Sequence, residues 1–271
     1  MLRKYYFQFG ITLLMILLET ALALMFPLCI GKAIDSAING SFLGALQLGG
    51  LGITTLIVGV WRRWSDSRFY AKVFQDMGSM TLSKMDNSTS SKKSASLSMI
   101  RELIEFLENT MPELIGNIIG LIGVIGIIAT LNLKVFYGGL LVGLLVFVIY
   151  WLTRSKTIQF NKLSNDEFER QVAIISKNDG KALKIHLKQM MKWNIKLSDL
   201  EAINFSISWM FLMTFLVLAI ASAVWDDIVG YGALFALLMY VFQYIENVIN
   251  LPLFYQNWLR LKEIIHRLEH A

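Results

Sequence analysis

Charged residues are scarce in this chain of 271 residues, at 17% of the sequence, whereas an ordinary soluble domain has about 25%. Apolar residues make up 55%. This balance excludes a typical soluble globule. A single cysteine and three histidines leave too few ligands for a disulfide framework or a metal cage. A disulfide-built secreted protein is therefore excluded, and no metal site is expected.

The catalytic signatures of common enzymes are also missing, including Ser/His/Asp, His-Glu-x-x-His and Cys-x-x-Cys patterns. The net charge of +5 is modest. Its basic residues lie between long apolar runs rather than on one folded face, which argues against a nucleic-acid partner. We expect neither an enzyme nor a nucleic-acid-binding protein.

Long apolar runs dominate what is present. A helix needs roughly 20 mostly apolar residues to cross a bilayer, and six segments qualify. The first is too long for the apolar region of a signal peptide, so we interpret it as a retained helix. The predicted spans are residues 5–31, 42–61, 113–131, 135–153, 203–225 and 228–250.

Lysine and arginine are distributed unevenly between the connections. The two termini and the two long loops carry 23 of the 25 basic residues, which predicts that they are all cytoplasmic. The external connections are short, at residues 32–41, 132–134 and 226–227. The expected location is the plasma membrane, which is the inner membrane of a bacterial cell, with lipid as the surrounding partner.

The long loops, residues 62–113 and 154–202, are each predicted to form a helical hairpin, and residues 251–271 a short cytoplasmic tail. Apolar residues recur at helical spacing in both loops, as one buried face would. Those residues are Phe69, Val73, Met77 and Met80, then Leu97, Ile100, Ile104, Leu107 and Met111, and in the second loop Phe168, Val172, Ile175, Leu183, Leu187 and Met190.

Turn-forming residues interrupt each loop near its midpoint. Arms of about 24 residues would carry these tips roughly 35 Å from the membrane. A partner protein could dock there. The candidate docking residues are Ser90, Lys92 and Lys93 at the first tip and Asn178, Asp179 and Gly180 at the second.

Two short motifs add to this layout. Residues 26–35 read Phe-Pro-Leu-Cys-Ile-Gly-Lys-Ala-Ile-Asp, and residues 232–236 read Gly-Ala-Leu-Phe-Ala, followed by Tyr240 and by Leu-Pro-Leu at 251–253. With six spans and two internal hairpins, the chain resembles the transmembrane domain of ABC exporters of the type IV fold. The resemblance implies an all-α polytopic fold, a single six-helix domain over residues 1–271, and a homodimer in which helices four and five cross to the partner.

Members of that family usually continue into a nucleotide-binding domain, which we do not expect on this chain. The two Gly-Lys pairs, at 31–32 and 180–181, lack the flanking glycine and hydroxyl residue of a phosphate-binding loop. No cofactor is expected on the chain itself, and ATP would act only through a separate nucleotide-binding subunit. The first tip also lacks the glycine and aspartate that the family commonly places there.

Several polar residues lie within the predicted spans. Glu19, near the centre of the first span, requires a cavity, a partner or protonation. It could line a cavity or carry protons, bond to a neighbouring helix, or contact a second copy. One side of helix six carries Tyr240, Gln243, Asn247 and Asn250, with Glu246 beside them. This side either faces the cavity or emerges into solvent. By resemblance, helices one, three and six line the cavity, and the candidates are Glu19, Asn117, Tyr240, Gln243 and Glu246.

Three functions remain open. The first is a permease for an amphipathic or hydrophobic substrate, with its ATPase supplied by another polypeptide. The second is a proton-driven transporter on the same scaffold. The third is a membrane scaffold that does not transport and that recruits a partner through its basic hairpins.

Overall fold

The computed structural model describes residues 5–84, 90–176, 179–225 and 230–270. Within these ranges, the side chains of residues 84, 91, 92, 95, 169, 172, 173 and 255–270 are not described. The described residues are helical apart from short connections, and they contain no strand. The elements are α1 (Tyr6–Ile38), α2 (Leu43–Lys84), α3 (Ser90–Glu105), a π-helical turn (Phe106–Thr110), α4 (Met111–Leu131), α5 (Leu133–Ser176), α6 (Gly180–Trp225) and α7 (Tyr231–His270).

Six of the described helical stretches are long and apolar enough to span a membrane, which confirms the predicted fold class. Most helices run well past the predicted spans. In particular, α1 continues to Ile38, so most of the first predicted external connection is helical. The following turn uses Gly40 at φ 69°, a backbone conformation that glycine adopts without steric cost. The span-capable stretches are Tyr6–Ile38, Leu43–Ser83, Ser96–Leu131, Leu133–Phe168, Gly180–Trp225 and Tyr231–Phe254.

The chain divides into two compact units. The first comprises residues 1–136 and 219–271, and the second comprises residues 137–218. In the first unit, Tyr5, Phe69, Tyr70 and Val73 pack with residues of α3 into a buried cluster. The prediction of a buried stripe in the first loop is correct for Phe69, Val73, Ile100 and Ile104 but wrong for Met80, which is exposed.

The second unit consists of α5 and α6 residues that pair through polar side chains. Ser164 donates to Asn194 at 3.0 Å, Asn204 donates to Thr153 at 2.9 Å, and His186 Nδ1 lies 2.8 Å from Glu167. The predicted apolar stripe of the second loop is wrong for Phe168, Ile175 and Leu187, which are exposed within this unit. Leu183 and Met190 are half-buried, and the side chain of Val172 is not described. These polar pairs contribute to the contact between the two helices together with apolar contacts, such as that of Phe160 with Trp193.

Candidate functional site

A cavity of about 820 Å³ lies within the first unit, between α1, α2, the π-helical turn, α4 and α7. Four of the five residues predicted to line a cavity do line it, namely Glu19, Asn117, Gln243 and Glu246. Their role toward a substrate stays a prediction. The structure places Tyr240 elsewhere: it is fully buried, and its hydroxyl donates to the carbonyl oxygen of Leu24 at 2.5 Å.

An arginine organises one wall of the cavity. Arg62 on α2 donates from Nε to Glu19 at 2.5 Å and from Nη1 to Asp66 at 3.2 Å. Asp66 is almost fully buried and also accepts a 2.7 Å hydrogen bond from Thr12. Glu19 therefore has a cationic partner on the neighbouring helix as well as a place on the cavity wall.

Sequence reasoning missed this network, although the chain carries a signal for it. Glu19 and Arg62 lie equally far from the turn at Gly40 and Ser41, 21 residues on either side. Two antiparallel helices joined by a short turn bring such residues to the same depth. Comparing distances from the turn would have paired Glu19 with Arg62.

The π-helical turn places Glu108 and Asn109 on the cavity wall. Pro112 provides the local cause, because a proline has no N–H and its ring clashes with the carbonyl four residues before it. Here that carbonyl belongs to Glu108. The backbone forms a π-helical turn instead, in which the N–H of Met111 donates to the carbonyl oxygen of Phe106, five residues earlier. Glu108 then accepts a hydrogen bond from Ser67 on α2 at 3.0 Å.

Beyond the cavity, α1 and α7 approach closely. The backbone N–H of Gly232 donates to Asp35 at 2.8 Å, and a Cβ on Gly31 would clash with the carbonyl oxygen of Gly232. The Tyr240 hydroxyl donates to the carbonyl oxygen of Leu24 on α1, three residues before Pro27. Proline has no backbone N–H, so α1 lacks one hydrogen-bond donor at Pro27. The two motifs that carried the sequence resemblance thus meet in space.

The candidate docking residues lie where helices begin. Ser90 starts α3 and is exposed, and Lys93 on the same helix is partly exposed. Lys92 has an undescribed side chain, and Asn178 lies outside the described residues. Asp179 accepts hydrogen bonds from the N–H groups of Lys181 at 2.9 Å and Ala182 at 3.4 Å, so it caps α6, which begins at Gly180. Docking at these residues stays a prediction.

Comparison with known proteins agrees with this architecture. The profile of a family described as the ABC transporter transmembrane region matches residues 1–232. No curated protein matches the chain. The match covers most of the sequence, includes the first motif region at residues 26–35, and ends at Gly232, the first residue of the second motif. The chain therefore belongs to the ABC transporter transmembrane-region family.

Proposed function

We propose that this chain is the permease subunit of a homodimeric transporter in the plasma membrane, with both termini cytoplasmic. It moves an amphipathic substrate, and a separate nucleotide-binding subunit hydrolyses ATP on its behalf. The chain itself is not an enzyme and holds no cofactor. Family membership supports a transporter-like role. The oligomeric state, the substrate class and the energy source are parts of the proposal.

The cavity is the observation that carries this proposal. Its volume of about 820 Å³ falls within the range of about 300 to 1,000 Å³ that is typical of small-molecule sites. Residues from five elements converge on it, including charged groups that are costly within a bilayer unless they face water, a partner or a ligand. A scaffold that does not transport has no need of such a cavity.

Exposed apolar side chains on the second unit support the homodimer. Phe168, Ile175 and Ile185 are each about half exposed, and they lie beyond the predicted membrane spans, where lipid would not cover them. Large apolar side chains that are exposed outside the bilayer favour a protein contact. A second copy that receives α5 and α6 would bury these residues.

The pairing of Glu19 with Arg62 favours the ATP-driven reading over a proton-driven transporter. A proton carrier must gain and lose its proton during each cycle, whereas an ion pair with Arg62 at 2.5 Å holds the carboxylate in a fixed contact. Glu19→Gln should therefore retain a normal pH dependence of transport, and a flattened pH profile would favour the proton-driven alternative.

Purification of the tagged full chain from its own membranes in a mild detergent tests the proposal. The expected particle contains two copies of the chain and an ATPase activity that copurifies with them. Lys92→Glu combined with Lys93→Glu should reduce the copurified ATPase activity, while Lys134→Glu, in the connection between α4 and α5, should not. A particle with one copy and no ATPase activity would contradict the proposal.

A further inference from the structure

The cavity wall is unbalanced in charge. Five carboxylates line it, from Glu19, Asp66, Glu108, Glu113 and Glu246, against the two guanidinium groups of Arg62 and Arg63. At formal charge this leaves three negative charges in excess. Since Arg62 is shared between Glu19 and Asp66, it does not offset the carboxylates elsewhere on the wall. A positive ligand would find compensation there, and a negative one would be repelled.

Glu113 on α4 and Glu246 on α7 carry much of this excess. Neither has an ion-pair or hydrogen-bond partner among the side chains that the structure describes. Gln243 lies one turn before Glu246, on the same side of α7, and its buried Oε1 has no donor among the described residues. A carbonyl oxygen without a donor carries partial negative charge, so it adds to the attraction for a positive group.

The cavity also has an apolar end. Ala23 and Leu24 on α1 and Val124 on α4 line it, next to Gly120. Along α4, Glu113 and Val124 are eleven residues apart, which corresponds to about 16 Å of helix. The acidic groups and the apolar wall are therefore separated by roughly the length of a small amphipathic molecule.

We infer that the cavity selects amphipathic cations, with the positive group near Glu113, Gln243 and Glu246 and the apolar body against Leu24 and Val124. This inference rests on the proposed function, because it names the substrate class of the same cavity. It narrows the expected substrates from amphipathic molecules in general to those that carry a positive charge.

Tetraphenylphosphonium and tetraphenylborate test the inference, because the two ions are nearly identical in size and shape but opposite in charge. Their binding to the full chain is measured by equilibrium dialysis in nanodiscs of zwitterionic phosphatidylcholine, with empty nanodiscs as the background. We expect specific binding of the phosphonium at least about tenfold tighter than that of the borate, as one or two unscreened charges at 6 to 10 Å would give.

Variants locate the binding. Glu113→Gln combined with Glu246→Gln should weaken phosphonium binding about tenfold, whereas Arg63→Gln should tighten it severalfold. The opposite signs matter, because a folding defect would weaken binding in both. Glu201→Gln provides the matched control, since Glu201 is an exposed carboxylate on α6 in the second unit.

Equal binding of both ions, or tighter binding of the borate, would overturn the inference while leaving the permease proposal intact. So would phosphonium binding that is indifferent to the Glu113, Glu246 and Arg63 changes. Absence of specific binding by either ion would also overturn it. The permease proposal fails on a different measurement, the copy number and ATPase activity of the purified particle.

Discussion

The two units of this chain use polar side chains in different ways. In the first unit, Glu19, Asn117 and Gln243 come from three helices and surround open space. In the second, three polar side chains of α5 each meet one of α6 directly, as Ser164 meets Asn194. Both sets are inside helical packing, and the first surrounds a cavity with room for another molecule.

The difference shows how the arrangement of polar side chains in each unit relates to the role of that unit. Polar groups that pair across two helices fix the register of the helices, because a shift of one turn would leave each group without its partner. Polar groups on a cavity wall are held by their neighbours but keep a face toward the cavity. The first unit is therefore suited to binding, and the second to holding a defined helix pair.

The largest expected effect comes from removing Arg62, whose side chain is 14% exposed. Arg62→Ala leaves Asp66, at 5% exposure, and the partly exposed Glu19 without their cation, and breaking such a buried network costs about 3 kcal/mol. Thermal unfolding in detergent should show a large fall in the midpoint. Arg101→Ala, which removes an exposed ion pair with Glu105, should leave the midpoint unchanged.

Adding Glu19→Gln to Arg62→Ala sharpens this result. If the cost arises from an uncompensated carboxylate, neutralising Glu19 should recover part of the lost stability. An additive loss would show instead that the two side chains act independently, and that the wall is not organised by their ion pair.

The helix pair of the second unit is tested at His186, which is 2% exposed. His186→Ala removes a buried ring and the 2.8 Å contact with Glu167, so we expect a loss of about 2 kcal/mol. His186→Asn, which still offers an amide donor near the position of Nδ1, should lose less. Lys188→Ala, on the exposed side of α6, provides the control and should behave as the unchanged chain.

If His186→Ala and His186→Asn lose the same stability, the ring volume matters and the hydrogen bond to Glu167 does not. In that case the second unit would be held by packing in the same way as an apolar core. The proposed contrast between the two units would then be wrong for the second unit, because its polar contacts would not stabilise the helix pair.

The sequence was sufficient to predict six helices that are long and apolar enough to cross a membrane, and four of the cavity-lining residues. These predictions rest on long apolar runs and on polar interruptions within them, such as Glu19 and Gln243, which are strong signals in a membrane chain. The family resemblance could also be recognised from the sequence, because the motifs at residues 26–35 and 232–236 occur together with six spans and two internal hairpins.

The packed face of α5 and α6 could not be predicted in the same way. Apolar periodicity indicates which face avoids water, but a membrane helix also turns apolar side chains toward lipid or a partner. Phe168 and Leu187 therefore looked like core residues, whereas Ser164 and Asn194 form the contact. Likewise, the sequence predicts that Tyr240 lines the cavity. Only the structure shows that its hydroxyl donates a hydrogen bond to the carbonyl oxygen of Leu24.

The approach of α1 to α7 gives a further test of how the first unit closes. Gly232→Ala places a Cβ against the carbonyl oxygen of Gly31 and the carboxylate of Asp35, which should force the helices apart at a cost of about 2 kcal/mol. Gly49→Ala, where a Cβ meets nothing within 4 Å, should be neutral or slightly stabilising. Equal unfolding midpoints for the two variants would contradict the close approach.

The smallest expected effect separates helix capping from partner docking at Asp179. Asp179→Ala removes the side-chain acceptor for the N–H groups of Lys181 and Ala182, and should cost about 1 kcal/mol. Asparagine caps helices as well as aspartate does, so Asp179→Asn should preserve the unfolding midpoint. If Asp179 also contacts a nucleotide-binding subunit through its charge, Asp179→Asn should reduce copurified ATPase activity without loss of stability. Full copurified ATPase activity with Asp179→Asn would show that Asp179 acts only as the N-cap of α6. The conformation of this tip would then be stabilised by the helix cap and not by a partner.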